Sequence, residues 1–181
     1  LSLYAVDIEA DGPAPGLYSM LSIGIVAVRP GLDQTFYAEL APVSDRWIPE
    51  AMEVNDLDRE RLKVEGLNGY QAMAQLRSFV ADTSNGKAVF VSDNPGFDYG
   101  FVNYYCWAFP PPAPASEANP FGHSARRIGD IWSGLQGDMF NSGGWRDPCR
   151  TAHTHNALDD AKGFAEALLE LPANGWKASF E

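Results

Sequence analysis

Three short stretches of this chain place acids where the surrounding residues are apolar. In VDIEAD, residues 6–11, Asp7 and Glu9 lie two apart at the end of an apolar run. On a strand, residues i and i+2 project from one face, about 6–7 Å apart. Two such carboxylates repel each other, and desolvation penalises both. A divalent cation between them removes the conflict, and hard carboxylate oxygens suit Mg²⁺ or Mn²⁺. A solvated strand end is the alternative. In SDNPGFDYGF, residues 92–101, Asp98 sits among Phe97, Phe101 and Val102, and Asp93 occupies a junction where it could equally cap a turn. In HTHNALDDA, residues 153–161, two histidines precede two aspartates. Imidazole titrates near neutrality and suits proton transfer.

These acids must be held by regular elements. A strand ends near Ile8, and DGPAPG turns the chain. The apolar, β-branched run 17–28 is a buried strand, and 34–40 is a third. Short gaps make these three an antiparallel meander. PEAMEV and DLDRERL carry helical pattern, and 68–81 is a longer helix with Tyr70, Met73, Leu76 and Val80 at helical spacing. Residues 88–92 form a short buried strand, 96–109 an aromatic helix, RIGDIW a last short strand, and 156–171 the final helix. The order predicts an α/β fold with a mixed five-stranded sheet flanked by helices. PPPAPASEANP, residues 110–120, is too rich in proline for helix or central strand and is expected to be a stiff surface loop.

Phasing the final helix separates its aspartates. Asp160 lies on the margin of the apolar face that carries Ala157, Ala161, Phe164, Leu168 and Leu171. Asp159 falls with Lys162, Glu166 and Glu170 on the polar face. An inward carboxylate needs a cation, a metal or a set of hydrogen bonds. His155, five positions before Asp160, can hang over the helix N-terminus, and position favours it only slightly over His153.

The net charge of −11 excludes nucleic-acid binding by bulk charge. The charge is uneven, however. Residues 1–121 hold 16 acids and 7 bases, whereas 122–155 hold three acids and four arginines, with all three histidines. Arg126, Arg127, Arg146 and Arg150 are therefore candidate contacts for an anionic substrate, with pairing to surface acids as the alternative. No apolar run is long enough to span a membrane. The opening LSLYAVDIEA has no basic segment of the kind that starts a signal peptide. Cys106 and Cys149 lack metal-binding spacing. Reduced thiols and a cytoplasmic location are the expectation.

With these residues in hand, the chain resembles the DEDDh branch of the DnaQ-like 3′–5′ exonucleases, which have an RNase H-like fold. DIEADG, NPGFDYGF and HNALDDA look like the three motifs of that family, in order. YSMLSIGIVAV and MEVNDLDRERL look like its second strand and the segment after its third. The resemblance implies one exonuclease domain over residues 1–181. It implies two Mg²⁺ or Mn²⁺ ions held by Asp7, Glu9, Asp98 and Asp160, with His155 as general base and His153 and Asp159 as bystanders. Asn156 stands where the tyrosine branch has its tyrosine, which indicates the histidine branch. Nucleoside 5′-monophosphates would be released from 3′ ends of single-stranded DNA or RNA. Candidates for seating the terminal nucleotide are Ala10, Leu17, Tyr18, Met20, Phe97 and Phe101, with Arg126 and Arg127 toward the phosphates. Many relatives follow the first motif's Glu with Thr, whereas here Ala10 and Asp11 follow it, which bears on substrate preference. A homodimer is implied by resemblance alone. The alternatives are a proofreading or repair exonuclease acting beside a polymerase, and a nucleic-acid-binding module with a vestigial site.

Overall fold

Five strands and six helices build the structure, a computed structural model that describes residues 1–112, 114 and 117–171. The strands are β1 (Ser2–Ala10), β2 (Met20–Ala27), β3 (Thr35–Glu39), β4 (Ala88–Ser92) and β5 (Ala125–Arg127). The helices are α1 (Pro49–Asn55), α2 (Arg59–Glu65), α3 (Gly69–Thr83), α4 (Asp98–Ala108), α5 (Ile128–Gln136) and α6 (Ala157–Glu170), and a 3-10 turn covers Gly144–Arg146. The strands lie in the order β3-β2-β1-β4-β5. β1, β2 and β3 form the expected antiparallel meander, and β4 and β5 add on in parallel.

Alternation along β1 sorts its side chains to two cores. Tyr4, Val6, Ile8 and Ala10 join the cluster that packs under α3 and α4. Ala5 joins the cluster under α5 and α6, with Val26, Val91, Trp145, Phe164 and Leu168. Asp7 and Glu9 share the face of Ala5. Each fully buried apolar side chain such as Val6 or Ile8 contributes about 1.5–3 kcal/mol. A slip of one residue would forfeit several of these and drive Asp7 into the core, so the register is firmly set. A bulge between Glu9 and Ala10 then breaks the alternation at the strand's end.

Side-chain caps define the helix starts: Asp58 for α2, Asn156 for α6, and for α3 a capping box of Asn68 with Gln71. Three sequence expectations are corrected. RIGDIW is not a strand: β5 stops at Arg127, and α5 begins with Ile128. Ile128, Ile131, Trp132 and Leu135 recur at helical spacing, and that period wins over a short β-branched run. The second strand starts at Met20 rather than at residue 17. Tyr70 is exposed and meets Phe109 edge-on, while Met73, Leu76 and Val80 are buried as expected. The proline-rich loop is described only in part, since 113, 115 and 116 lie outside the described residues. Cys106 and Cys149 are free thiols. Among the described residues no helix is long and apolar enough to cross a membrane.

Candidate active site

β1 outruns its parallel neighbour. Its pairing with β4 ends at Ala5 opposite Val91, so Asp7 and Glu9 project beyond the last paired residue. The crevice beyond the carboxyl ends of parallel strands is where open α/β sheets commonly place their chemistry. α6 approaches from the side of β2. Asp7 is opposite Gly24 on β2, and a Cβ on Gly24 would lie 2.2 Å from the carbonyl oxygen of Ala157. Glycine at this position lets the first turn of α6 rest on the sheet and carries Asp160 to Asp7. Sequence reasoning did not single out Gly24. The available signal was a glycine inside an apolar strand, which marks close backbone approach.

Asp7, Glu9 and Asp160 each offer an oxygen within 4.8 Å of the others. Asp98, at the first turn of α4, is buried beside them, and its carboxylate accepts the Asn94 N–H at 3.3 Å. Among the described residues, Asp7, Glu9 and Asp98 form no ion pair with Lys or Arg. Burial pushes Asp7 well above the usual carboxylate range, and the charges of Asp98, Glu9, Asp160 and Asp93 push it further. Glu9 is pushed up to about 8, first by burial and then by Asp160 and Asp98. Burial raises Asp98 to about 7, against the lowering effect of the Ser92 hydroxyl and the Asn94 N–H. Buried carboxylates that repel one another and lack a counter-charge are a donor set fitted to a hard divalent cation.

Asp160 is held from its own segment. Its Oδ1 accepts the Thr154 N–H at 2.9 Å, and its Oδ2 accepts the His155 N–H at 3.2 Å. The imidazole on this carboxylate is that of His153, with Nδ1 2.8 Å from Oδ2. His155 is exposed, with a left-handed backbone at φ 58°, and its ring stands 4.4 Å from the His153 ring. The resemblance makes His153 a bystander, yet its ring is in direct contact with Asp160. Asp159 is half-buried and accepts from the Thr154 hydroxyl.

The acid that departs from the family pattern has a separate role. Asp11 is wholly buried and paired with Arg59 at 2.9 Å, and it also accepts the Ser19 N–H. Arg59 in turn donates to the Ser44 carbonyl. This network ties the end of β1 to α2 and to the start of β2.

Of the candidate nucleotide contacts, Leu17 is exposed and Tyr18 and Phe97 are half-buried, so these three have surface near the first two motifs. Ala10, Met20 and Phe101 fill the core and have almost no surface to offer a nucleotide. Arg126 is exposed on β5 beside an apolar hollow formed with Leu3, Val89 and Ile131. Arg127 is paired with Asp130 and donates to the Asp93 carbonyl. Arg146 pairs with the Asp93 carboxylate at 2.5 Å, and its guanidinium lies 4.3 Å from the centre of the Trp145 ring. A hollow of about 440 Å³ is lined by Arg146, Asp93, His153 and Asp160. A larger one, about 940 Å³ beside α3, touches none of the site acids.

Comparison with known proteins gives these features a family setting. The chain is 36% identical over 176 residues to the 3′–5′ DNA exonuclease Cap18 of Escherichia coli, a match covering 90% of this chain and 87% of that protein. No family model matches. The fold is similar to the nuclease domain of 3′hExo, a DEDDh family member bound to rAMP. That match has a TM-score of 0.73 at 13% identity and covers 96% of this chain and 92% of that one. It is also similar to Pop2p of S. pombe in its Mg²⁺- and Mn²⁺-bound form, with a TM-score of 0.69 at 14% identity over 94% of this chain and 82% of that one.

Proposed function

The chain belongs to the DEDDh 3′–5′ exonucleases, hydrolytic enzymes of RNase H-like fold, and from that premise we propose that it removes nucleoside 5′-monophosphates from the 3′ ends of single-stranded DNA. The observation that carries this reading is the carboxylate group itself: Asp7, Glu9 and Asp160 lie within 4.8 Å of one another, with Asp98 alongside. DNA is favoured over RNA because the relative at 36% identity is a DNA exonuclease. Residues 1–181 act as one exonuclease domain.

Asp7, Glu9, Asp98 and Asp160 hold two divalent ions, Mg²⁺ or Mn²⁺. When bound, these ions supply Lewis-acid stabilisation of the charge that builds on the phosphate and lower the pKa of the attacking water. The chain's own residues do the rest. β1 and the first turns of α4 and α6 hold the four carboxylates on rigid backbone, so the site is organised before substrate arrives. His155 takes the proton from the attacking water. Its exposed side chain and its position one residue before the cap of α6 support that role. The exposed Leu17, with Tyr18 and Phe97, offers apolar surface for the terminal base. Arg146, held by Asp93 and Trp145 on the hollow that His153 and Asp160 also line, offers a guanidinium to a phosphate oxygen.

The test is a 3′-labelled and a 5′-labelled single-stranded DNA oligonucleotide, with an RNA of the same sequence, incubated with Mg²⁺, Mn²⁺ or EDTA. Mononucleotide release from the 3′ end of DNA with either metal, and none with EDTA, is the expected result. Endonucleolytic fragments, or turnover that persists in EDTA, would overturn the reading. His155→Ala should lower kcat by about 10²–10⁴-fold with little change in substrate affinity. Full turnover in that variant would remove His155 as the base.

A further inference from the structure

The His153, His155 and Asp160 side chains form a second donor group. Each offers one ligand atom, and these atoms all lie within 4.8 Å of one another. The group shares only Asp160 with the Asp7–Glu9–Asp160 set. It differs from that set in chemistry, with two imidazole nitrogens and one carboxylate oxygen in place of oxygens alone. Such a mixed set suits zinc-class ions, whose nitrogen and oxygen ligands sit at about 2.0–2.2 Å. It suits Mg²⁺ poorly, since that ion favours oxygen ligands.

The backbone organises the group. Thr154 N–H and His155 N–H both donate to the Asp160 carboxylate, so the chain wraps around it. His153 already contacts Oδ2, and the left-handed backbone of His155 accompanies a second ring 4.4 Å away. Both imidazoles are exposed, so their rings have room to turn toward a shared ion. The 440 Å³ hollow beside His153 and Asp160 gives a further coordination position access to water.

We propose that His153, His155 and Asp160 bind a zinc-class ion beside the carboxylate cage, sharing Asp160 with it, and that its occupation switches the exonuclease off. Inhibition follows because the ion takes the His155 imidazole from proton transfer and an Asp160 oxygen from the cage. The inhibitory half rests on the function proposed above, whereas the binding half does not.

The experiment titrates metal-stripped protein with Zn²⁺ alone by calorimetry and with Co²⁺ alone by visible absorption, which reports low-coordinate nitrogen ligation. Wild type, His153→Ala, His153→Asn and Asp7→Asn are compared. The nitrogen-ligated Zn²⁺ should bind to wild type and Asp7→Asn alike, and the His153 variants should bind it at least about tenfold more weakly. In parallel, Zn²⁺ is added to the Mn²⁺-supported exonuclease reaction. His153→Ala should need at least about tenfold more Zn²⁺ for half-inhibition, each protein being measured against its own Mn²⁺-supported rate. Equal Zn²⁺ affinity in wild type and the His153 variants overturns the site. So does Zn²⁺ binding that is lost in Asp7→Asn but kept in His153→Ala, because the ion then sits in the carboxylate cage. Zn²⁺ binding at His153 without inhibition overturns the switch. If no exonuclease activity is found with any metal, the proposed function fails, and the binding titrations still decide the site.

Discussion

Asp7, Glu9 and Asp11 are spaced two apart on one stretch of chain, yet the protein treats them in opposite ways. Asp11 is fully buried and neutralised by Arg59, with a backbone N–H completing its hydrogen bonds. Asp7 and Glu9 are also largely buried but have no cationic partner among the described residues, and each is pushed upward first by burial and then by its acidic neighbours. The bulge between Glu9 and Ala10 marks the division, since it ends the alternation that would have put all three on one face. A carboxylate paired with an arginine is closed to any other cation, whereas Asp7 and Glu9 remain open to one.

Removing cage acids is expected to have the largest effect. Asp98→Ala and Asp160→Ala should each lower exonuclease turnover by about 10³-fold or more, since metal stabilisation of the phosphate is worth several kcal/mol. Circular dichroism should show the fold retained. Turnover near wild type would place these acids in the structural class with Asp11. Next comes the closed corner. Arg59→Ala strands a buried charge and should cost about 3–5 kcal/mol in urea unfolding. The double variant Asp11→Leu, Arg59→Met should recover most of that loss, because an apolar pair carries no desolvation penalty. Failure to recover would mean that Arg59 is needed for more than pairing Asp11.

Gly24→Ala tests how the cage is assembled. The new methyl meets the backbone of α6, so overpacking should cost about 1–3 kcal/mol. Displacing Asp160 should reduce turnover by more than the lost stability explains. A variant that loses stability but not rate would show that α6 can shift without disturbing the site.

The smallest expected effect is on pH dependence. Glu9 at about 8 and Asp98 at about 7 stand above their ordinary values of 4.5 and 3.8, so the folded protein holds protons more tightly than the unfolded chain. The stability this confers is fully present below pH 4 and is lost as pH rises through 7 and 8. Metal-free protein should therefore melt at lower temperature at pH 8.5 than at pH 5.5, by a few degrees or more. Saturating Mn²⁺ should flatten the slope by favouring the ionised carboxylates. A metal-free melting temperature that rises across this range would show that these acids are not held protonated.

Local order was legible in the chain because it follows from local rules. Apolar, β-branched runs between turns gave four of the strands, and the spacing of Met73, Leu76 and Val80 gave α3. Phasing placed Asp160 on the inner face of α6, where it is 2% exposed. The same rules failed at RIGDIW, where a helical repeat hides inside a short β-branched run, and at Tyr70, whose apolar ring stays outside. They were also silent on pairing. Asp11 looked like a neighbour of the site until Arg59, 48 residues away, was seen to close on it. Position favours His155 over His153 only slightly, because the contact with Asp160 depends on how the loop wraps that carboxylate. Gly24 acquired its meaning only once α6 lay against it. Residue types and their spacing set which residues carry charge, which faces are apolar, and the order of the three acidic motifs along the chain. Which acids receive a counter-charge and which are left open emerges on folding, because it depends on distances of a few ångströms between segments far apart in the chain.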